Sequence, residues 1–467
     1  MSGALSSSAS SAREARALAD GPAAEAWRAT GIPQALRLLA CAAAVGFDAW
    51  RVRLAEWLRS EPDAARERRR AELRDRNARR VVATLGALKG VYVKLGQFAA
   101  LRLDLLPREV TDALASLRDA VPPLPFTSMR RAIERELGGP LEAHFAEFDE
   151  TPLGAASIAQ VHRARLHSGE AVAVKVQYPW LRASLPADLA LVGTLFRLWP
   201  GGRTARRDRA RLFAEFAAGL REELDFEREA RVAAEIARNL AADPRIAVPE
   251  IVHSHTRPRV LTMRYLPAVG LADRAGLARL GVAPREVLEI VVRAYAAQIF
   301  VDGLFHADPH PGNLFVIDEP GAAQAPRVLF VDFGLSRRLD PQLRRELRLG
   351  LYALLQRDVD GFVAGMGRMG MIAPGAEPAV RGAVAAMFER VARHGGALGM
   401  GGAAVLPLKD EAKALLQETS GLQLPNDLLL YAKTLSYVFA LGADLAPEVD
   451  VLKLSLPYAL QFLAQKD

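Results

Sequence analysis

Between residues 304 and 335 the chain twice sets a short apolar run against a polar loop with little conformational choice. In "LFHADPHPGNLFVI", Pro309 and Pro311 each fix a backbone torsion, so Asp308 and Asn313 are predicted to keep a constant separation. "VLFVDFGL" repeats the theme, a four-residue apolar strand leading to Asp332, with Gly334 to let the chain turn. Two strand-flanked loops that present Asp308, Asn313 and Asp332 at one edge demand a small sheet beneath them. A helix from about Arg285 to Val301 is expected just ahead of them.

A second constraint lies earlier. "SIAQVHRARLHSGEAVAVKVQYP" reads as two strands joined at Ser168-Gly169, with Val172, Val174 and Val176 on one face and Ala171, Ala173 and Lys175 on the other. A lysine on an alanine-lined strand face is unusual. Other elements are a helical stretch over 80–120, a helix over 127–139 closed at Gly138-Gly139, and a strand-like "RVLTMRYLP" at 259–267. A Gly/Arg-rich connector is expected at 201–211, followed by one long helix over 212–240. Strands cluster early and helices late, so the fold class is α+β, a sheet-rich lobe followed by a larger helical one.

Bulk composition narrows the classes. With 467 residues, 51% of them hydrophobic, the chain can bury a large core, and disorder is not its main character. A single cysteine, Cys41, excludes an internal disulfide framework and a cysteine-rich zinc module, and is expected to be a buried small hydrophobe. Net charge is +7, and residues 51–80 alone hold eleven arginines against six acids. That basic stretch is either a solvated helix laced with i,i+4 pairs or a face for acidic headgroups. The first 31 residues carry no apolar core and are expected to be a disordered tail rather than a signal peptide. Residues 32–50 are apolar but contain Arg37 and Asp48, and "VLKLSLPYALQFLAQKD" is short and broken. Because a span needs roughly 20 nearly uncharged residues, the expectation is a cytoplasmic protein, peripheral to a membrane at most, with no signal peptide and no transmembrane helix.

Three oxygen-bearing side chains suit Mg²⁺, a hard cation that shares its ligands with phosphates, and Lys175 can supply positive charge to those phosphates. An Asp with an Asn five residues on, followed by strand-Asp-Phe-Gly, matches the parts used for phosphoryl transfer in protein kinases. A rival, in which His306, Asp308 and His310 ligate zinc or iron, leaves Asn313, Asp332 and Lys175 unused. A purely structural role suits His310 taken singly. "PLGAASIAQVHRA" precedes the lysine strand where a phosphate-covering loop belongs, yet Gly154 is its one glycine. Its alanines cannot use the positive-φ conformations open to glycine.

The motifs "KLGQ" (Lys94, Gly96, Gln97), "GAASIAQVH" (154–162), "VAVKVQYP", "EELDFEREA", "HADPHPGN" and "VDFG", in that order over about 94–334, resemble the UbiB/AarF (ADCK) family of atypical kinase-like proteins. The resemblance implies a two-lobed protein-kinase-like fold: a helical extension over 32–150 carrying K-x-G-Q, an N-lobe over 151–267, and a C-lobe over 268–467 with a family-specific helical C-terminus. It implies ATP and Mg²⁺ as cofactors. Lys175 would contact the α/β-phosphates with Glu229 as its helix partner, and Asp308 would take the catalytic-loop role. Asn313 and Asp332 would hold the metal. Gly154, Ala155, Ala156, Ser157, Ile158 and Ala159 would line the nucleotide, with Met263 and Tyr265 in the adenine-contacting linker, where Arg264 replaces a more usual acid. Glu223 and Asp225 form the E-x-D element that joins Lys94, Gly96 and Gln97 as a regulatory motif.

Implied function is an atypical kinase or Mg-dependent ATPase supporting ubiquinone or other isoprenoid-lipid metabolism. Implied partners are ATP, a lipid or quinone-precursor ligand and an anionic membrane, with no nucleic acid. Alternatives are a true kinase for a small molecule or protein, and a nucleotide-binding pseudokinase scaffold. After Asp332 the chain runs almost directly into a helix, and the "APE" at 446–448 is too distant to close an activation segment.

Overall fold

The computed structural model describes residues 32–58, 62–101, 108–115, 123–198, 203–318, 326–393, 419 and 421–465. The expected tail over 1–31 lies outside the described residues. Two compact units emerge. One takes in the described residues up to Glu227 together with Val252–Arg264, the other Arg228–Ile251 and the chain from Tyr265 onward.

The first unit opens with helices α1 (Ile32–Leu58), α2 (Asp63–Leu88), α3 (Gly90–Leu101), α4 (Arg108–Ala115), α5 (Phe126–Leu137) and the single turn α6 (Leu141–His144). Strands β1 (Phe145–Ala155), β2 (Ala159–Leu166) and β3 (Ala171–Gln177) follow, then helices α7 (Leu181–Leu198) and α8 (Arg203–Glu223), and the helix α9 (Phe226–Asn239), which belongs to the second unit from Arg228 onward. Of the next two strands, β4 (Ile246–Ala247) belongs to the second unit and β5 (Val260–Arg264) to the first. The first unit's sheet is antiparallel in the order β1-β2-β3-β5, with Lys175 opposite Val161 on one side and Leu261 on the other. Val172, Val174 and Val176 are wholly buried on one face of β3, as their alternation predicts, and Ala173 and Lys175 are buried on the other.

Strand β1 was not expected. It is the sheet edge, mostly exposed and carrying Pro152, which a central strand would not tolerate. Helix α5 matches its sequence signals, ending on Gly138 in the left-handed conformation with its N–H on the Glu134 carbonyl.

Two further expectations fail in this unit. The connector over 201–211 is helical from Arg203, because its arginines and alanines are strong helix formers. The long helix over 212–240 breaks at Leu224-Asp225. There the Leu224 carbonyl accepts from Gln177 Nε2 at 2.6 Å and the Phe226 N–H donates to the Pro258 carbonyl at 3.3 Å, so tertiary partners replace helical ones.

Helices α1 to α4 share a core with α7 and α8, built on Leu85, Leu88, Val91, Tyr92, Val192, Phe216 and Leu220. Within it the Tyr92 hydroxyl donates to Asp188 at 2.6 Å, and burial pushes the Asp188 carboxyl up. Gly90 opens α3 at φ +54°, and a Cβ there would lie 2.5 Å from a Leu181 methyl. Only glycine fits.

Localisation needs correction. Among the described residues two helices are, by length and composition, long and apolar enough to cross a membrane, α1 and one in the second unit, Asn426–Leu445, against the expectation of no such helix. Arg37 and Asp48 do not interrupt α1. The helix continues to Leu58, and Asp48 is matched by Arg80 at 2.8 Å and Arg76 at 3.7 Å. Cys41, on the same helix, is half-buried rather than buried.

In the second unit β4 is joined by β6 (Ala268–Gly270), the helices α10 (Arg274–Arg279) and α11 (Pro284–Ala296), and β7 (Leu304–Phe305). Next come β8 (Leu314–Ile317), β9 (Val328–Phe330), β10 (Arg337–Arg338) and the helices α12 (Pro341–Gln356), α13 (Val359–Arg368), α14 (Glu377–Arg393), α15 (Asn426–Leu445) and α16 (Val451–Ala464). A mixed sheet runs β4-β9-β8-β6, with β4 parallel to β9, and β7 pairs with β10. Its core is centred on α11, with Val287, Leu288 and Val291 wholly buried against Leu314, Val328 and Phe330 of the sheet and Val438, Leu441 and Leu445 of α15.

Candidate functional site

In the second unit both polar loops bridge the same two sheets. One runs from β7 to β8 and holds residues 306–313; the other runs from β9 to β10 and holds Val331–Ser336. Because β7 pairs with β10 and β8 with β9, the loops are forced side by side. The Val331 N–H donates to the Asn313 carbonyl at 3.1 Å, stitching one to the other. The proline-rich loop is held as expected: Asn313 Nδ2 donates to the Asp308 carbonyl at 3.1 Å and to its carboxylate Oδ2 at 3.2 Å.

His306 sits beneath. Its Nε2 donates to the Asp332 carbonyl at 2.8 Å and to that of Val331 at 3.1 Å, so the Nδ1 accepts from the Tyr295 hydroxyl at 2.9 Å. Complete burial pushes its pKa down and keeps the ring neutral. With both nitrogens engaged, His306 has no lone pair to offer a metal, and the zinc or iron alternative loses a ligand. His310 accepts the Gly312 N–H at 3.1 Å, a structural turn bond. Asp332 has φ +64° and ψ +74°, a left-handed conformation that a residue with a Cβ rarely adopts. Such strain persists where surrounding contacts impose it, and it clusters at functional positions.

The first unit holds the remaining predicted residues except Glu229 and Tyr265. Gly154 and Ala155 close β1, and the Ala156 N–H bonds the Ala159 carbonyl at 2.8 Å, making a tight hairpin turn. Three carbonyls of that turn are capped from outside it. The Tyr178 hydroxyl donates to Ala156 at 2.8 Å, the Gly90 N–H to Ser157 at 2.9 Å and the Tyr178 N–H to Ile158 at 3.0 Å. No residue from 154 to 159 has a positive φ, as alanines require. Lys175, 7% exposed, lies 5.2 Å from the Phe226 ring centroid, a cation–π contact. Met263 is half-buried on β5, opposite Ala173, and Arg264 is exposed. Lys94 forms a largely buried ion pair with Glu223, while Gly96 is buried and Gln97 and Asp225 half-buried nearby in sequence. In the second unit Glu229 is buried on α9 and Tyr265 half-buried.

One residue at the loops was missed. Lys433 of α15 places its Nζ 2.7 Å from Asp308 Oδ1, with its side chain 10% exposed. A lone lysine inside "NDLLLYAKTLSYVFALGADL" was the available signal, of the same kind that singled out Lys175 on its strand.

A carboxylate and an amide locked together beside a strained aspartate in one unit, and a buried lysine on the sheet of the other, are the parts of a kinase-like class of protein. Residues 116–365 match the ABC1 atypical kinase-like domain. The chain is 33% identical over 403 residues to a probable protein kinase UbiB of Marinobacter nauticus, covering 83% of this chain and 70% of that protein. It is 33% identical over 401 residues to the chloroplastic protein Activity of bc1 complex kinase 8 of Arabidopsis thaliana, covering 80% of this chain. The chain spans about half that relative's length, at 52%. A solved Mycobacterium tuberculosis structure, Rv3197 with erythromycin, aligns over 82% of this chain and 98% of its own, with 25% identity and a TM-score of 0.49. The chain belongs to the ABC1 atypical kinase-like family, the UbiB/AarF group of the motif resemblance. Its fold is the family's protein-kinase-like one, with a small sheet-rich lobe, a larger helical lobe and a helical N-terminal extension.

Proposed function

We propose that this chain binds Mg-ATP and hydrolyses it, in support of ubiquinone or other isoprenoid-lipid metabolism. The observation that carries the reading is the paired-loop arrangement, in which Asn313 is bonded to Asp308 and Asp332 is held left-handed on the neighbouring strand connection. In this reading Asp308 orients the attacking water, and Asn313 and Asp332 hold the metal. Their oxygens are hard donors of the type Mg²⁺ prefers, and bound Mg²⁺ would neutralise charge on the phosphates. Lys175 serves the α/β-phosphates with Glu229 as its partner, the 154–159 turn covers the nucleotide, and Met263 and Tyr265 flank adenine. Lys94, Gly96, Gln97, Glu223 and Asp225 regulate access, the Lys94–Glu223 pair being the contact to release.

Hydrolysis is favoured over protein phosphorylation by the short path after Asp332. Strand β10 is two residues long, and Asp340 already caps α12 by accepting the Gln342 N–H at 2.8 Å. That leaves no room for a peptide-docking platform before the helix. The lipid half of the reading is supported by α1, whose Leu36, Leu39, Phe47, Trp50 and Trp57 are exposed, beside the arginine-rich α2.

The test is steady-state ATP turnover by the purified chain with Mg²⁺ and anionic vesicles. Asp332→Asn should lower kcat by on the order of 10²–10³-fold, the usual cost of losing one electrostatic contact to the transferring group. Turnover absent from the wild type, or unchanged by the substitution, refutes the reading. Labelled phosphate appearing on proteins instead of in solution would favour the kinase alternative.

A further inference from the structure

The loop that carries Asp308 has no cation of its own. From Leu304 to Ile317 the sequence contains neither lysine nor arginine. The charge beside the carboxylate comes instead from 125 positions downstream, where Lys433 Nζ meets Oδ1 at 2.7 Å while Asn313 Nδ2 meets Oδ2 at 3.2 Å. Both oxygens are therefore addressed from opposite sides, by an ammonium and an amide. A carboxylate rotates broadly about its last torsion, and two donors on different oxygens remove that freedom.

Lys433 is itself held. Its Nζ lies 5.8 Å from the ring centroid of Tyr437, one helical turn on, and Tyr437 also packs edge-on to His310 at 6.3 Å. Earlier on the same helix Tyr431 meets Phe305 edge-on at 6.0 Å, and Val438, Leu441 and Leu445 anchor α15 in the core around α11. Helix α15 thus meets Phe305 and His310 through two rings, with the lysine between them.

We propose that Lys433 is a positioning residue for the reaction at Asp308, so that α15, outside the residues matched to the kinase-like domain, completes the site. The inference rests on the phosphoryl-transfer reading. It goes beyond it by assigning to the C-terminal helices a share in the chemistry. A carboxylate fixed in plane presents its acceptor lone pair to the attacking water in one orientation. Since misplacement of such a group by an ångström costs about 10²-fold, loss of the tie should appear in kcat. Nucleotide affinity depends on other residues and should not follow. A tie that merely staples α15 to the loop would instead change stability and leave the two kinetic constants moving together.

The experiment compares the wild-type chain with Lys433→Met, Lys433→Gln and Lys433→Arg in Mg-ATP turnover and thermal melting. Met and Gln should each lower kcat by roughly 10- to 100-fold with KM for ATP within about twofold, and Arg, which restores the charge, should recover most of the loss. If the Met variant does not fold, Gln, which keeps length and hydrogen bonding without charge, carries the comparison. Full turnover by a folded Met or Gln variant with an active wild type overturns this inference alone. Equal losses in Met, Gln and Arg overturn it too, since charge would then be irrelevant. An inactive wild type removes the phosphoryl-transfer reading and this inference with it.

Discussion

Helices α1 and α15 have the same apolar character, each long enough to cross a bilayer, yet the chain uses them oppositely. In the most apolar stretch of α1, 11% of the residues are buried inside the protein; in that of α15 the share is 44%. Helix α1 leaves Leu36, Leu39, Phe47, Trp50 and Trp57 facing outward, the last 81% exposed. Helix α15 turns Val438, Leu441 and Leu445 into a core and sets Lys433 against Asp308. Hydropathy counts methyl groups and is blind to what covers them. What separates the two helices is the apolar core that covers one face of α15 and the smaller share of α1 that is covered at all.

The sharpest way to break this contrast is to truncate one side chain in each. Leu441→Ala removes a buried side chain and should destabilise the chain by about 2–5 kcal/mol, seen as a lowered melting temperature and denaturant midpoint. A neutral result would mean that α15 is not a core helix after all. The Trp50→Ser/Trp57→Ser pair should leave melting within about 0.5 kcal/mol of the parent. The same pair should weaken flotation with anionic vesicles about tenfold, because interfacial binding scales with apolar area. Unchanged flotation would detach α1 from any lipid role. Smallest is Asp427→Asn, at the start of α15, whose carboxylate lies 3.9 Å from Arg337 and is 45% exposed. It should shift stability by under about 0.5 kcal/mol, less at high salt, since a contact this long to a solvent-facing carboxylate is weak and screened. A larger shift would move the anchoring of α15 from its apolar face to its charges.

Much of this was legible in the residues. Period-two alternation around Lys175, the Asp-x₄-Asn spacing and the strand before Asp332 correspond to β3, the bonded loop and β9. Each is a local signal, and local signals survive without knowledge of the fold. Strands of two or three residues, such as β4, β7 and β10, are too short to show a period, so the paired-sheet frame that juxtaposes the loops was invisible. Edge strand β1 hides its alternation behind charged and turn-forming residues. The break between α8 and α9 was missed because it answers to Gln177 and Pro258, distant in sequence. Lys433 was missed for the same reason. Its meaning lies in a contact 125 positions away, which no spacing rule records.

The bond from Gly90 to the Ser157 carbonyl has a mechanical consequence. It couples the first residue of the K-x-G-Q helix to the alanine-rich hairpin with no slack between them, since Gly90 is wedged against Leu181 and the hairpin is pinned again by Tyr178. A push on α3 is transmitted to that turn as displacement rather than absorbed as bending, as a rod transmits and a string does not. The extension is in this sense a lever whose short arm is a single hydrogen bond.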